Sequence, residues 1–566
     1  MQQRDYKTNI RWTWQQLDGM RLRILATCLI GMLRICISLM FVWVCKIIVD
    51  VATTQHGEKI WWWIGAMCGV ILLMVITSAW NVRVREKNRI IITNHLRQQL
   101  FSRVMRARWH GREALHSGDT VNRLEDDIRT LSSTATEMIP AFIIACFQLV
   151  AASFVLFTMQ KNLMWVLVFI MPLALIVSKI YFRILRRLTA EIREQDSKIQ
   201  SHMQESLLKR ILILSMGRED DSVSTLDDMQ DSLMASTMRR VTYSNRSRVF
   251  IQIGFMAGYV VTFCWSAFGL ISGAVTYGMM TACLQLVNQV QNPILDMSHY
   301  LPALVQSMTS VDRLRELADM QEEEKGDVIE VQGPLGLRID DLSYTYPGND
   351  GPTIDHLSCD FRPGVSTAIV GETGSGKSTL IRLMMSLLQP DSGHITLYNS
   401  KEEYEMSPTL RCNFRFVPQG NSLMSGTVRD NLLLGNADAT EEEMREALRL
   451  AAADFVFERP EGLNTPCSEQ GSGLSEGQAQ RIAIARALLQ KGAIILMDEA
   501  CSSVDSGTEK RILENLSKGI QDKTIIWVTH HAVVQEYMSR SLAMQPLPHR
   551  RTMHKQLEQN IHEGTN

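Results

Sequence analysis

The sequence predicts a two-part chain: an α-helical, membrane-embedded first half followed by a soluble α/β second half. Two observations carry that expectation. Apolar residues make up 46% of the 566, but long uncharged runs crowd the first half, and of eleven tryptophans only Trp527 lies after Trp265. In the second half, Gly371-Glu372-Thr373-Gly374-Ser375-Gly376-Lys377-Ser378-Thr379 stands between the β-rich run 367–370 and the apolar run 380–383, which is the order strand, glycine loop, helix. The length exceeds what one core supports. A net charge of -2 excludes nucleic acid as the main partner, because that role usually demands a basic surface. The eleven cysteines form no C-x-x-C pair and fall mostly inside the apolar runs, so neither a disulfide framework nor a zinc site is expected.

Taken in order, residues 1–23 carry Arg4, Lys7, Arg11, Arg21 and Arg23 among Trp12, Trp14, Leu17 and Met20. That mixture fits a cytoplasmic interfacial helix on an anionic leaflet and lacks the apolar core of a cleavable signal. A spanning helix needs about 20 largely apolar residues, and six windows meet that need: 24–50, 60–80, 138–160, 163–182, 250–272 and 279–304. The connections 83–129 and 183–248 are long and arginine-rich, whereas those near Thr53, Lys161 and Gly273 are short and nearly uncharged. The positive-inside rule then places both termini and both long loops in the cytoplasm, with Trp61-Trp62-Trp63 as an aromatic anchor at the outer interface. The expected domains are therefore an interfacial segment 1–23, a six-helix membrane domain 24–310, an acidic linker 311–336, a nucleotide-binding domain 337–545 and a polar tail 546–566.

The glycine loop has the pattern G-x-x-x-x-G-K-[ST]. Glycines let successive backbone N–H groups turn onto phosphate oxygens, the following helix end adds positive potential, Lys377 reaches the terminal phosphates and Ser378 holds Mg²⁺. The apolar run 493–497 ends in Asp498-Glu499, a metal ligand and a general base at the carboxyl edge of a parallel sheet. Ser475, Gly477 and Gln478 open a strongly helical stretch, which supplies a second helix end fit to meet phosphate.

These motifs together resemble those of ATP-binding-cassette exporters of the half-size kind, and the likeness covers nearly the whole chain. The resemblance implies two chains acting as a dimer, homomeric or heteromeric, each ATP held between one chain's glycine loop and the other's signature loop. It implies that Tyr346 stacks on adenine, that Gln419 senses Mg²⁺ and couples to the membrane domain, that Asp505 crosses the dimer interface, that Glu469 carries cross-talk and that His530 contacts the γ-phosphate. It also implies that 117–127 and 205–219 border the turns of the two cytoplasmic loops, where short coupling helices dock on the cassettes. Two departures stand out. The signature reads Leu474-Ser475-Glu476-Gly477-Gln478, with a carboxylate where the family usually has glycine, and after His531 no pattern assigns a fold. The implied activity is ATP hydrolysis driving export of a lipid, amphiphile, drug or peptide across a plasma or bacterial inner membrane by alternating access. The other readings are a heterodimer subunit with one weakened ATP site and a nucleotide-gated regulator or channel; fewer than a hundred residues separate the two phosphate-facing loops, which disfavours a coiled-coil chromosome-organising ATPase.

Overall fold

A computed structural model describes residues 6–53, 60–109, 117–323, 326–349, 351–467, 473–519 and 522–546. The chain divides into two compact units, one of Met1–Phe101 with Val121–Ala318 and one of Ser102–Thr120 with Asp319–Asn566.

The described residues of the first unit are largely helical. The helices from the N-terminal end of the chain are α1 (Tyr6–Gln16), α2 (Arg21–Thr53), α3 (Ile60–Arg106), α4 (Ser117–Asn122), α5 (Ile128–Ser133), α6 (Ile139–Met159), α7 (Lys161–Leu208), α8 (Arg210–Ser215), α9 (Glu219–Ile271) and α10 (Tyr277–Ala318), with the last residues of α3 and most of α4 falling in the second unit. Two π-turns, Arg123–Asp127 and Thr134–Met138, join α4, α5 and α6 into one run. Four helices among the described residues are long and apolar enough to cross a membrane: Arg21–Thr53, Ile60–Arg106, Thr120–Met159 and Glu219–Ile271. The expected windows 163–182 and 279–304 lie within α7 and α10. Among the described residues the arginine-rich connections are largely helical, because α3, α7 and α9 continue well past their apolar windows and the short α8 sits at the turn between α7 and α9.

Helix packing follows from side-chain size at the seams. On α2, Ile35, Leu39 and Val42 recur at helical spacing and join Ala152 and Leu156 of α6 and Ala282, Leu286, Val287 and Val290 of α10 in one buried cluster. Gly31 allows the α2–α6 approach, since a side chain there would run into Ile144. Some polar groups pair between helices: Asn88 donates to Thr27 Oγ1 at 3.1 Å, and Asn9 of α1 donates to Asp312 Oδ1 at 2.6 Å while accepting from Arg315 at 2.8 Å. The N-terminal helix is thereby latched by its polar face to α10, leaving Ile10 and Trp14 exposed.

The second unit has two main sheets. The antiparallel one orders β2 (Ile354–Phe361), β1 (Gly336–Tyr344), β4 (Ser392–Tyr398) and β5 (Glu403–Glu405). The parallel one orders β11 (Arg540–Met544), β3 (Ser366–Gly371), β10 (Thr524–Val528), β9 (Ile494–Asp498) and β6 (Phe414–Val417). A small pair, β7 (Gly426–Thr427) and β8 (Pro466–Cys467), lies apart. Helices α11 (Lys377–Met384), α12 (Val428–Leu433), α13 (Glu441–Leu450), α14 (Phe455–Glu458), α15 (Glu476–Leu489), α16 (Ser506–Gly519) and α17 (Ala532–Tyr537) complete the unit. Strands β9 and β10 are buried along their whole length, which is why their sequences read as continuous apolar runs. Capping boxes at Thr427, Thr440 and Ser475 start α12, α13 and α15. The segment after His531, which carried no legible pattern, forms α17 and then β11 alongside β3.

Candidate nucleotide-binding and hydrolysis site

Strand β3 delivers the chain to Gly371 and α11 begins at Lys377. Between them Gly374 and Gly376 take φ of 86° and 95°, a left-handed backbone that side chains disfavour and that this turn needs. A side chain at Gly371 would run into the Met544 carbonyl, so β11 fixes the loop's first residue. Lys377 folds back over the loop, its Nζ donating to the carbonyls of Gly371 at 2.8 Å and Glu372 at 2.9 Å. Burial pushes its ammonium below the usual lysine range, against the pull of Glu499 and Asp498. Ser375 Oγ is buried and has no hydrogen-bond partner among the described residues. A phosphate oxygen would satisfy it, so the cradle fits the nucleotide that the motif implies.

Three adjacent parallel strands bring the chemistry together. β6, β9 and β10 end side by side, and just beyond their carboxyl ends stand Gln419, Asp498-Glu499 and His530. Gln419 Nε2 donates to Glu499 Oε2 at 2.6 Å, and His530 Nε2 lies 3.0 Å from Glu499 Oε1. Glu499 itself has φ of 48°, a conformation a non-glycine residue adopts at a cost and one that surrounding structure must impose. Its backbone N–H donates to the Val528 carbonyl at 3.1 Å. One residue earlier, Asp498 accepts from Ser378 Oγ at 3.2 Å. Burial pushes the Asp498 carboxyl up, and the Ser378 hydrogen bond opposes that. Ser378 and Asp498 offer hard oxygen donors, which suits Mg²⁺ because that ion keeps several positions for water and phosphate. No group of three or more His, Cys, Asp or Glu among the described residues could form an all-protein metal cage.

The Tyr346 hydroxyl lies 3.2 Å from Thr379 Oγ1 and accepts from Arg382 at 3.2 Å. Tyr344 stands edge-on to it with ring centroids 5.0 Å apart. The Arg382 guanidinium also lies 4.9 Å from the ring of Trp109, which belongs to the same unit.

The signature loop is a separate construction. Ser475 caps α15, accepting from Gln478 N at 3.2 Å while its own N–H donates to Gln478 Oε1 at 3.1 Å. Gly477 lies against the Ser503 carbonyl with no room for a side chain. Gln480 ties α15 to the chain after β9 by donating to Ser502 Oγ at 3.0 Å and accepting from Ser503 N at 3.1 Å. Glu476 is exposed in the first turn. Asp505 caps α16, accepting from Thr508 N at 3.0 Å, and that hydrogen bonding holds its carboxyl below the usual aspartate range. Glu469 lies outside the described residues.

Sequence reasoning missed two pairings. Glu509, 3% exposed, accepts at 2.8 Å from His531, next to His530. The other is Trp109 with Arg382. Each joins residues far apart in the chain, and neither has a local motif.

A helical membrane unit followed on one chain by a cassette with a glycine loop, paired strand-end carboxylates and a capped signature helix defines an ATP-driven membrane transporter. Residues 24–294 match the profile described as "ABC transporter transmembrane region" and 354–502 the profile described as "ABC transporter"; the chain belongs to this family, with the exporter order of domains. It is 27% identical over 526 residues to a putative multidrug export ATP-binding/permease protein of Staphylococcus aureus, covering 90% of each chain. It is also 27% identical over 443 residues to the ATP-dependent lipid A-core flippase of Aliivibrio fischeri, covering 78% of this chain and 76% of that one. A bacterial Atm1-family ABC exporter solved with ATP bound superposes with a TM-score of 0.78 at 20% identity, covering 93% of each chain. The protein is a multi-pass membrane exporter that couples ATP hydrolysis to transport.

Proposed function

We propose that the protein works as a dimer of half-transporters in a bacterial inner membrane, both termini cytoplasmic, exporting an amphiphilic cargo from the cytoplasm or inner leaflet. The observation that carries the catalytic assignment is the Glu499 carboxylate clasped by Gln419 and His530 beside the phosphate loop. The dimer is supported by the apolar tip of the α7–α9 arm. There Leu207, Leu208, Ile211 and Met216 are 69%, 79%, 85% and 65% exposed, which asks for a protein partner. A second half-transporter's cassette is the partner we assign to it.

In this mechanism Tyr346 swings from Thr379 onto the adenine, and Lys377 leaves the loop carbonyls for the β- and γ-phosphates. Ser378, Asp498 and Gln419 would hold Mg²⁺, which would neutralise charge developing on the phosphates. Glu499 polarises the attacking water while His530 contacts the γ-phosphate; Ser475, Gly477 and Gln478 come from the opposing chain. Asp505 lies at the interface between the two cassettes. Relatives that handle lipid A and drugs support the amphiphile class.

The test is Glu499→Gln. Loss of a general base typically costs about 10²–10⁴-fold in rate, so turnover should collapse while ATP binding persists and a distance probe across the cassettes reports a closed dimer. Near-normal hydrolysis would remove Glu499 from this role. A fall to about half the wild-type rate would mean that a different partner chain carries its own base, favouring the heterodimer in which Glu476 marks a weak site.

A further inference from the structure

Among the described residues of the membrane unit, Arg34 is a cation that neither the catalytic reading nor the packing uses. Between Arg23 and Lys46, α2 has a single charged residue, Arg34. At about 1.5 Å per residue it lies roughly 16 Å beyond Arg23 and 18 Å short of Lys46, near the middle of a hydrocarbon layer about 30 Å thick. It is exposed, and it makes no hydrogen bond or ion pair among the described residues.

The side of α2 on which it sits argues against lipid contact. Leu22, Leu25, Leu29, Leu33, Met40 and Trp43 are all exposed and recur at helical spacing, forming one wholly apolar face. Arg34 and Ser38, one turn apart, lie on roughly the opposite side. Ser38 accepts from Gln289 of α10 at 2.8 Å, and Gln289 in turn accepts from Gln148 of α6 at 2.8 Å.

The helices α2 and α10 run antiparallel, and two contacts fix their register. Asp50 accepts from Gly278 N at 2.9 Å, and Ser38 pairs with Gln289. One turn further along both helices, Arg34 comes level with Asn292, which is also exposed. On α10, Gln285, Asn288, Gln289 and Asn292 form a stripe of carboxamides at helical spacing, ending one turn later in Asp296. An ionisable residue at such depth, set away from the helix's apolar face and level with a stripe of carboxamides, is a functional-site candidate by default.

We propose that Arg34, Ser38, Gln289 and Asn292 form a seat in the membrane unit for the anionic head group of an amphiphilic cargo. The proposal rests on the export reading and deepens it by assigning charge to the cargo. Arg34 supplies the charge-assisted hydrogen bonds, forked for a phosphate or carboxylate. The carboxamides supply neutral donors and acceptors for the linkage behind it. Asp296 closes the stripe and repels an anion placed nearer the cytoplasmic end, so it sets the level at which the head group rests.

The test uses the full chain in nanodiscs of phosphatidylcholine with three probes: lysophosphatidate, the monoacylglycerol of the same acyl chain, and glycerol phosphate. ATPase stimulation and displacement of a fluorescent lysophosphatidate are both read. Wild type should respond to lysophosphatidate at about tenfold lower concentration than to monoacylglycerol, as one charge-assisted contact supplies, and only weakly to glycerol phosphate. Arg34→Gln should abolish the difference between the two amphiphiles and Arg34→Lys should restore most of it; the monoacylglycerol response within each variant reports that it is folded and coupled. A preference that survives in Arg34→Gln overturns the seat and leaves the export reading standing. Wild-type protein that neither binds nor responds to either amphiphile overturns both. Glycerol phosphate matching lysophosphatidate would assign the seat to a small free anion and overturn the amphiphile.

Discussion

Lys377 and Gln419 show how a side chain's partners in the resting chain indicate what it gives up when nucleotide arrives. Lys377 now spends its hydrogen bonds on two loop carbonyls and is held below its usual protonation range by burial. A phosphate would offer a better partner, so Lys377→Ala should weaken ATP binding by about ten- to a hundredfold, as expected for charge-assisted hydrogen bonds. Equilibrium binding of a fluorescent ATP analogue decides this, and unchanged affinity would exclude the lysine from ground-state contact. Gln419 is bonded to Glu499, the proposed base. Gln419→Ala should therefore retain ATP binding but lose most cargo stimulation of hydrolysis; stimulation equal to wild type would place coupling elsewhere. Most of these residues could be read in advance because phosphate chemistry confines them to a few consecutive positions at strand ends. Trp109 with Arg382 and Glu509 with His531 could not, because each pair closes over long sequence separations that only the fold sets.

For the elements, legibility followed burial. β9 and β10 are apolar throughout because both faces are covered, and the capping boxes at Thr427, Thr440 and Ser475 announce their helices in four residues. β11 was illegible because its residues are largely exposed and its place comes from backbone pairing with β3. Gly477 tests how closely the signature helix must fit its neighbour. Gly477→Ala would push against the Ser503 carbonyl, so it should lower turnover while leaving ATP binding at the glycine loop near normal. Retained turnover would mean that the segment after β9 can yield. The caps also give an acid dependence. Hydrogen bonds from Thr427 hold the Asp430 carboxyl below its usual range. A carboxyl lowered on folding stabilises the fold above its ordinary value of about 3.9 and loses that contribution as pH falls through the lower folded value. The thermal midpoint should thus drop below about pH 4, and Asp430→Ala should flatten part of the drop. An identical slope in the variant would assign the acid loss to other groups.

At the level of the whole molecule, the exposed tip around α8 is the feature that one chain leaves unfinished. Replacing Leu208 and Ile211 by aspartate adds charge to a surface that is already exposed, so folding and ATP binding should persist. If that tip meets a partner cassette, cargo-stimulated ATPase should fall at least tenfold, because buried charge at a contact is strongly unfavourable; stimulation within twofold of wild type would exclude the tip from the coupling contact. The sequence marked where the long connections lie by their arginines but not that their described parts are largely helical, since charged helical surface and charged loop have the same composition. The position of β11 also limits how the chain can be shortened. It occupies the rim of the parallel sheet, so its five residues are what keep β3 from being an open edge. A chain ending before Arg540 would expose the row of N–H and carbonyl groups of the very strand that leads into the phosphate loop, a template for pairing with other chains. Such truncations should precipitate or self-associate through the cassette before they fail to bind nucleotide, which makes this short, largely exposed and easily overlooked strand a guard on the solubility of the whole nucleotide-binding unit.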